Sequence, residues 1–347
     1  MKSQLQLNKL NSFKEKVYSF SFANYPSTSR IHKLQNFSSL NSIYVKRDDE
    51  LGFGASGSKL RKYLSLIPFL IQNKYHEVIV IGGAYSNNIL TASQLLIENN
   101  IQPILFLPEI KNENRRGNFL LTSLLIDKNN IHFLNQSDFS SLNLIIENYC
   151  QHKKEKGINV GIIQEGANMK EALPGALSLC FDIIKNERDN NIEFNHIFVD
   201  SGTGLMAISL ILGFSYLNKN TKIHVLQVAG HKDEFNNSIQ FYLDYFQKQF
   251  QIQINTLSDY ELYFPSSAKS FGSTNASIFK SIIDICRNNG IITDPIYSAK
   301  LFHEGKKIIE KNDLQGNILF IHSGGGLSLF GFQNELFKYY NKYCDSN

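Results

Sequence analysis

The chain has 347 residues, enough for two domains or one large α/β unit at ~150 residues per domain, and enough to bury a core without disulfide staples. Apolar residues make up 42% and charged residues 19%, both spread along the whole chain, which argues against long disordered tails. The 35 Lys plus Arg against 31 Asp plus Glu leave a formal net charge of +4, so there is no electrostatic footprint for nucleic acid or an anionic membrane, and a small-molecule partner is expected.

Taken along the chain, short runs rich in Val, Ile and Phe predict strands over 43–46, 77–82, 103–107, 131–134, 160–164, 196–200, 222–228 and 317–322. Segments of helical period between them predict helices over 59–72, 87–98, 205–217 and 277–288, each entered through a turn rich in Gly, Ser or Asn. This alternation predicts βα units and a mostly parallel sheet, in which strand-to-helix turns present backbone N–H groups and helix N-termini at the carboxyl edge. The N-terminal 16 residues are polar and lack the apolar core of a signal peptide, and no uncharged apolar stretch of ~18 residues occurs, so the cytoplasm is expected. Cys150, Cys180, Cys286 and Cys344 are too few for a disulfide framework and too far apart for a C-x-x-C metal or redox pair. They are expected to be reduced thiols.

Several junctions could carry chemistry. Gly57-Ser58-Lys59-Leu60-Arg61-Lys62 opens a helix with Lys59 in its first turn, where the helix dipole disfavours a cation and a dry pocket would depress it further. Lys59 is either a nucleophilic lysine or an ordinary solvated one. Gly82-Gly83-Ala84-Tyr85-Ser86-Asn87-Asn88 follows a strand, and Ser86 could serve there simply as an N-cap. Asp200-Ser201-Gly202-Thr203-Gly204-Leu205-Met206 has the small residues that let amides approach a phosphate, yet lacks the complete dinucleotide and P-loop patterns, so a nucleotide reading is weak and a monophosphate cofactor fits better. Tyr297 could be a packed aromatic and His322 a hydrogen-bonded core histidine.

Together these residues resemble the pyridoxal-phosphate enzyme family that contains D-cysteine desulfhydrase and 1-aminocyclopropane-1-carboxylate deaminase, over roughly Asn24 to Gly331. The resemblance rests on Lys46-Arg47-Asp48-Asp49, Gly57-Ser58-Lys59-Leu60-Arg61-Lys62, Ser86-Asn87, Glu165-Gly166-Ala167-Asn168, Ser201-Gly202-Thr203-Gly204, Asp294-Pro295-Ile296-Tyr297 and His322-Ser323-Gly324-Gly325, all in order. It implies an α/β chain of fold type II, the tryptophan synthase β-subunit type, with two parallel-sheet, three-layer domains. The large cofactor domain would comprise 1–62 and 162–347 and the smaller inserted domain 63–161. It further implies pyridoxal 5′-phosphate on Lys59, with the amides of Gly202, Thr203, Gly204, Leu205 and Met206 holding its phosphate near Lys62. Asn87 would bond the ring hydroxyl, Tyr297 would stack on or near the ring, Ser86 would meet the substrate carboxylate or act as a second base or nucleophile, and Ser323 would lie near the ring nitrogen. A small amino-acid substrate and a homodimer are implied as partners.

Within this family a carboxylate facing the ring nitrogen supports ring opening, whereas hydroxyls suit elimination of a good leaving group. Ser298 and Ser323 follow the hydroxyl pattern, so the expected reaction is β-elimination from D-cysteine, giving pyruvate, ammonia and sulfide. The alternatives are cyclopropane ring opening and a non-catalytic protein that keeps the fold. Three departures stand out: Ser58 replaces an asparagine, Met206 replaces a threonine, and an expected active-site tyrosine has only Ser267 or Phe271 at its plausible positions.

Overall fold

Strands buried on both faces need apolar side chains at every position, which is why the strands of this chain read as continuous apolar runs rather than as alternating patterns. The computed structural model describes residues 2–37, 41–110 and 116–344. Its strands are β1 (Ile31–Lys33), β2 (Ser42–Lys46), β3 (Glu77–Ile81), β4 (Gln102–Pro108), β5 (Ile131–Leu134), β6 (Val160–Ile163), β7 (His196–Ser201), β8 (Lys222–Gln227), β9 (Tyr260–Tyr263) and β10 (Asn317–Ile321). They form a six-stranded sheet in the order β1-β2-β10-β7-β8-β9 and a four-stranded sheet in the order β5-β4-β3-β6. All pairings are parallel except β1 with β2.

The helices are α1 (Lys2–Tyr18), α2 (Ser58–Gln72), α3 (Asn87–Glu98), α4 (Gly117–Leu125), α5 (Gln136–Ser140), α6 (Leu142–Glu155), α7 (Leu173–Ala176), α8 (Ser178–Asn190), α9 (Leu205–Leu217), α10 (Lys232–Phe250), α11 (Ala276–Asn289), α12 (Ser298–Lys311) and α13 (Gln333–Cys344). On the larger sheet, Ile197, Val199, Ile223, Val225 and Leu319 face α8, α9 and α10, while Phe198, Leu226, Ile318 and Phe320 face the layer that holds α12. The smaller sheet divides likewise: Val78, Val80, Leu105 and Leu107 pack on one side and Ile79, Ile104 and Phe106 on the other. Helix α9 is apolar all round because all its sides are buried.

The expected strands and helices recur within a residue or two at each end. Two strands lack a sequence counterpart: β1 is a short antiparallel edge and β9 a polar-aromatic edge, and neither is apolar enough to stand out. The polar N-terminus also folds, as α1, with Leu10, Phe13 and Val17 on its buried stripe and Lys16 Nζ donating to the Phe250 and Gln251 carbonyls at the end of α10 (3.0 and 3.2 Å). Helix α2 runs unbroken across residues 62 and 63. Cys150, Cys180 and Cys286 are free thiols, and the side chain of Cys344 lies outside the described residues. Among the described residues no helix is long and apolar enough to cross a membrane.

A buried ionic cluster ties α2 to the larger sheet. Arg61 donates to both carboxylate oxygens of Asp48 (2.6 and 2.7 Å), to Asp182 of α8 (2.7 Å) and to the Ser27 carbonyl (2.7 Å). Lys46, at the end of β2, donates to Asp182, to Asn186 (2.6 Å) and to the Ser29 carbonyl (2.6 Å). Arg61, Lys46, Asp48 and Asp182 are all buried. Burial would raise the Asp48 pKa, but the Arg61 guanidinium outweighs it and holds the carboxyl below its ordinary value. Asp48 therefore stabilises the fold above its unfolded pKa, and that contribution is lost as pH falls through the lower, folded one.

Removing one partner of such a cluster strands the remaining charges. Arg61→Met should lower unfolding free energy by about 3–5 kcal/mol, read as a reduced denaturant midpoint at constant m. A loss under about 1 kcal/mol, the value of an exposed pair, would contradict the account.

Candidate active site

The carboxyl ends of β3, β7 and β8 open onto a cleft of about 750 Å³ between the two sheets, within the range of small-molecule sites. Lys59 and Lys62 of α2 point into it, with Ser86 and Asn87 from the turn after β3 and the loop from Asp200 to Met206 after β7. Tyr297, Phe271, Gln227, Asn118 and Arg116 complete much of the wall.

The approach to Lys59 is set by Gly57, whose φ is +70° and whose position leaves no room for a Cβ, since one would fall 2.0 Å from the Ser323 carbonyl. That carbonyl accepts the Ser58 N–H (2.9 Å), pinning the start of α2 to the loop after β10. Burial pushes the Lys59 ammonium below its ordinary pKa, opposed by the Asp200 and Asp294 carboxylates. Lys62 is driven down further, by burial and then by the charge of Lys59, and its Nζ donates to the Gly166 carbonyl (2.8 Å). Two desolvated amines one helical turn apart cannot both hold protons cheaply.

Ser86 is the N-cap of α3, accepting the Asn88 N–H (3.1 Å), so the plain structural reading of this serine is realised even though it lines the cleft. Its O–H proton is left to donate. Asn87 accepts from Asn118 Nδ2 (2.6 Å), an interaction with no sequence signal because α4 lies 30 residues on. After β7, Gly204 at φ +96° caps α9, and the amides of the turn stand at the N-terminus of a 13-residue helix, a ready anion site.

Asp294 accepts from the N–H groups of Ile296, Tyr297 and Ser298 (2.9, 3.0 and 2.8 Å) and from the Ser298 hydroxyl (2.7 Å), which fixes the turn that presents Tyr297. The Tyr297 ring lies 5.3 Å from Lys59 Nζ, and its phenol is pushed well above the usual tyrosine pKa by burial and by the Asp294 and Asp200 charges. Phe271 meets Tyr297 edge-on at 5.9 Å and is 56% exposed at the cleft mouth, whereas Ser267 does not line the cleft.

Two expectations change, those for Ser298 and Ser323, while His322 keeps its expected place in the core. Ser298 is buried and its hydroxyl is spent on Asp294, accepting from the Asp294 N–H (2.9 Å) and donating to the carboxylate, so it is not a free hydroxyl of the cleft. Ser323 does not itself line the cleft; its side chain lies against Asp200, which does, and holds that carboxyl down. His322 is a core histidine, Nε2 on the Ile292 carbonyl (2.8 Å) and Nδ1 on the Gly324 N–H (3.2 Å).

Asp200, at the head of the glycine-rich turn, has no role of its own in the sequence pattern although it breaks an apolar strand at its carboxyl end. The signal was a single acidic residue closing a buried run.

The residues fit pyridoxal phosphate. Buried polar atoms of the cleft wall, Asp200 Oδ1, Ser201 Oγ, Gln227 Oε1, Asn88 Nδ2 and Asn118 Oδ1, have no partner within the protein, as expected of a site shaped around a polar ligand. A depressed lysine and a glycine-flanked helix N-terminus supply the imine-forming and phosphate-binding groups that this cofactor requires.

No protein-family model matches the chain. A putative 1-aminocyclopropane-1-carboxylate deaminase of Pyrococcus furiosus is 26% identical over 316 residues, spanning 90% of this chain and 94% of that protein. The mitochondrial bifunctional D-cysteine desulfhydrase/1-aminocyclopropane-1-carboxylate deaminase of Arabidopsis thaliana is 26% identical over 326 residues, 90% of this chain and 79% of that protein. The solved structure of an ACC deaminase homologue superposes with a TM-score of 0.83 at 23% identity, covering 94% of this chain and 99% of that one. The chain thus has the fold type II architecture and is similar over most of its length to proteins named as 1-aminocyclopropane-1-carboxylate deaminases and as a bifunctional D-cysteine desulfhydrase.

Proposed function

We propose that the reaction is β-elimination from a small D-amino acid, with D-cysteine and one water giving pyruvate, ammonia and hydrogen sulfide, and that Lys59 carries the cofactor. The observation that carries this choice is Phe271: a ring without a hydroxyl beside Tyr297 leaves the cleft short of a proton donor that ring opening would use. A thiol departs without such help.

When bound, pyridoxal phosphate supplies the electron sink that lets an amino acid lose its α-proton. Lys59 Nζ, whose ammonium form burial disfavours, takes that proton. Tyr297 stays protonated at working pH, so it acts as a hydrogen-bond donor and a packing wall rather than as a base. Ser86 accepts the Asn88 N–H on one lone pair of its oxygen and offers its proton to the substrate carboxylate. The amides of Gly202 to Met206 and the helix behind them hold the phosphate.

Borohydride reduction of the holoprotein followed by peptide mapping should place the label on Lys59, and Lys59→Ala should take none. Label on another lysine contradicts the assignment. Gly204→Asp puts a side chain at φ +96° and a negative charge into the anion cup, and should weaken cofactor binding by about 1–3 kcal/mol or more, measured by titrating apoprotein; unchanged affinity counts against the cup. Finally, kcat/KM for D-cysteine should exceed that for 1-aminocyclopropane-1-carboxylate under identical conditions, the ratio reporting differential transition-state stabilisation. A reversed ratio makes this a ring-opening deaminase, and no turnover of either favours a binding protein.

A further inference from the structure

The cleft carries one buried acid that the proposed reaction leaves without a task. Asp200 stands at the carboxyl end of β7, just ahead of the phosphate cup, 8% exposed and with Oδ1 unpartnered. The other carboxylates on the cleft wall, Glu165 and Glu234, are solvent-exposed, and Asp294 behind it has its oxygens committed to the Tyr297 turn. Of the cofactor's polar groups, the phosphate, the aldehyde carbon and the ring hydroxyl already have partners in Gly202 to Met206, Lys59 and Asn87; the ring nitrogen does not. Ser298 is spent on Asp294 and Ser323 lies against Asp200 outside the cleft wall, so neither hydroxyl expected at the ring nitrogen is free to serve it.

We propose that Asp200 is the acid that pairs with the ring nitrogen of bound pyridoxal phosphate, and that Ser323 is the hydroxyl that orients it. This rests on the reading that Lys59 carries the cofactor. The groups facing Asp200 are Lys59 and Lys62 of α2, Asp294 and Tyr297 before α12, and Ser323 after β10. Burial pushes the Asp200 carboxyl up to about 6, while Ser323 and Lys59 hold it down and Asp294 raises it. A cation at the ring nitrogen would draw it back to the ionised form, and in a dry cleft carboxylate and protonated nitrogen stabilise each other. Electron withdrawal from the substrate's α-carbon is thereby strengthened. A carboxylate at the ring nitrogen removes the hydroxyl pattern as a ground for elimination, and the preference then rests on the proton donor that Phe271 lacks.

The test is the visible spectrum of substrate-free holoprotein titrated with acid and base, together with the Kd for pyridoxal phosphate, in wild type, Asp200→Asn, Asp200→Glu and Ser323→Ala. In Asp200→Asn the pH midpoint of the visible band should rise by on the order of one unit, with cofactor Kd weakened about tenfold. Ser323→Ala should move the midpoint in the same direction by less, and Asp200→Glu should return it toward wild type. Thermal midpoints of the apo forms separate these effects from misfolding, since a merely structural role would lower stability without moving the spectral midpoint. Asp200→Asn matching wild type in midpoint and Kd overturns the proposal, as does a shift in Ser323→Ala with none in Asp200→Asn. A wild-type protein with no visible band overturns the cofactor reading itself, and this proposal with it.

Discussion

Arg61 and its two aspartates are the interaction on which the site depends. The guanidinium bonds Asp48 and Asp182 at once and Lys46 completes the charge balance, so α2 is held against the larger sheet in one register. Lys59 and Lys62, flanking Arg61 on the same helix, are thereby aimed into the cleft, while Leu60, Tyr63, Leu66 and Ile67 pack into the core of the smaller sheet. Such clusters contribute little net stability compared with an apolar packing of equal volume; what they confer is a single arrangement, because any slip of the helix leaves charges unpaired away from water.

The cleft applies the same physics in reverse. There, charges are brought close and left incompletely paired, so the lysines fall below their ordinary pKa and Asp200 rises above its own. Groups displaced toward neutrality are the ones that can exchange protons with a substrate. The contrast between a charge-balanced cluster on one face of α2 and an incompletely paired one on the other separates scaffold from chemistry more sharply than either sequence motif or burial does.

Much of this was legible in the sequence for a physical reason: doubly buried parallel strands leave unbroken apolar runs, and turns at a sheet's carboxyl edge must use small residues. The strands at Glu77–Ile81 and Ile131–Leu134, the helix at Asn87–Glu98 and the loop at Gly204 follow directly. What was not legible depends on contacts between distant segments. Ser298 and Ser323 looked alike as hydroxyls, and only the fold shows one consumed by Asp294 and the other directed at Asp200. Phe271 and Ser267 could not be ranked until the cleft wall was seen to include the phenylalanine alone. Edge strands β1 and β9 carry too little apolar surface to announce themselves.

The double anchorage of α2 also governs how the molecule comes apart. A helix whose apolar face fills one core and whose arginine is locked beneath the other makes each sheet's integrity conditional on its neighbour's. The smaller sheet cannot melt as an independent foldon while α2 stays bound, nor can α2 leave without exposing Asp48 and Asp182. Two sheets joined in this way share the fate of the helix between them, so the loss of either one is coupled to the loss of the other.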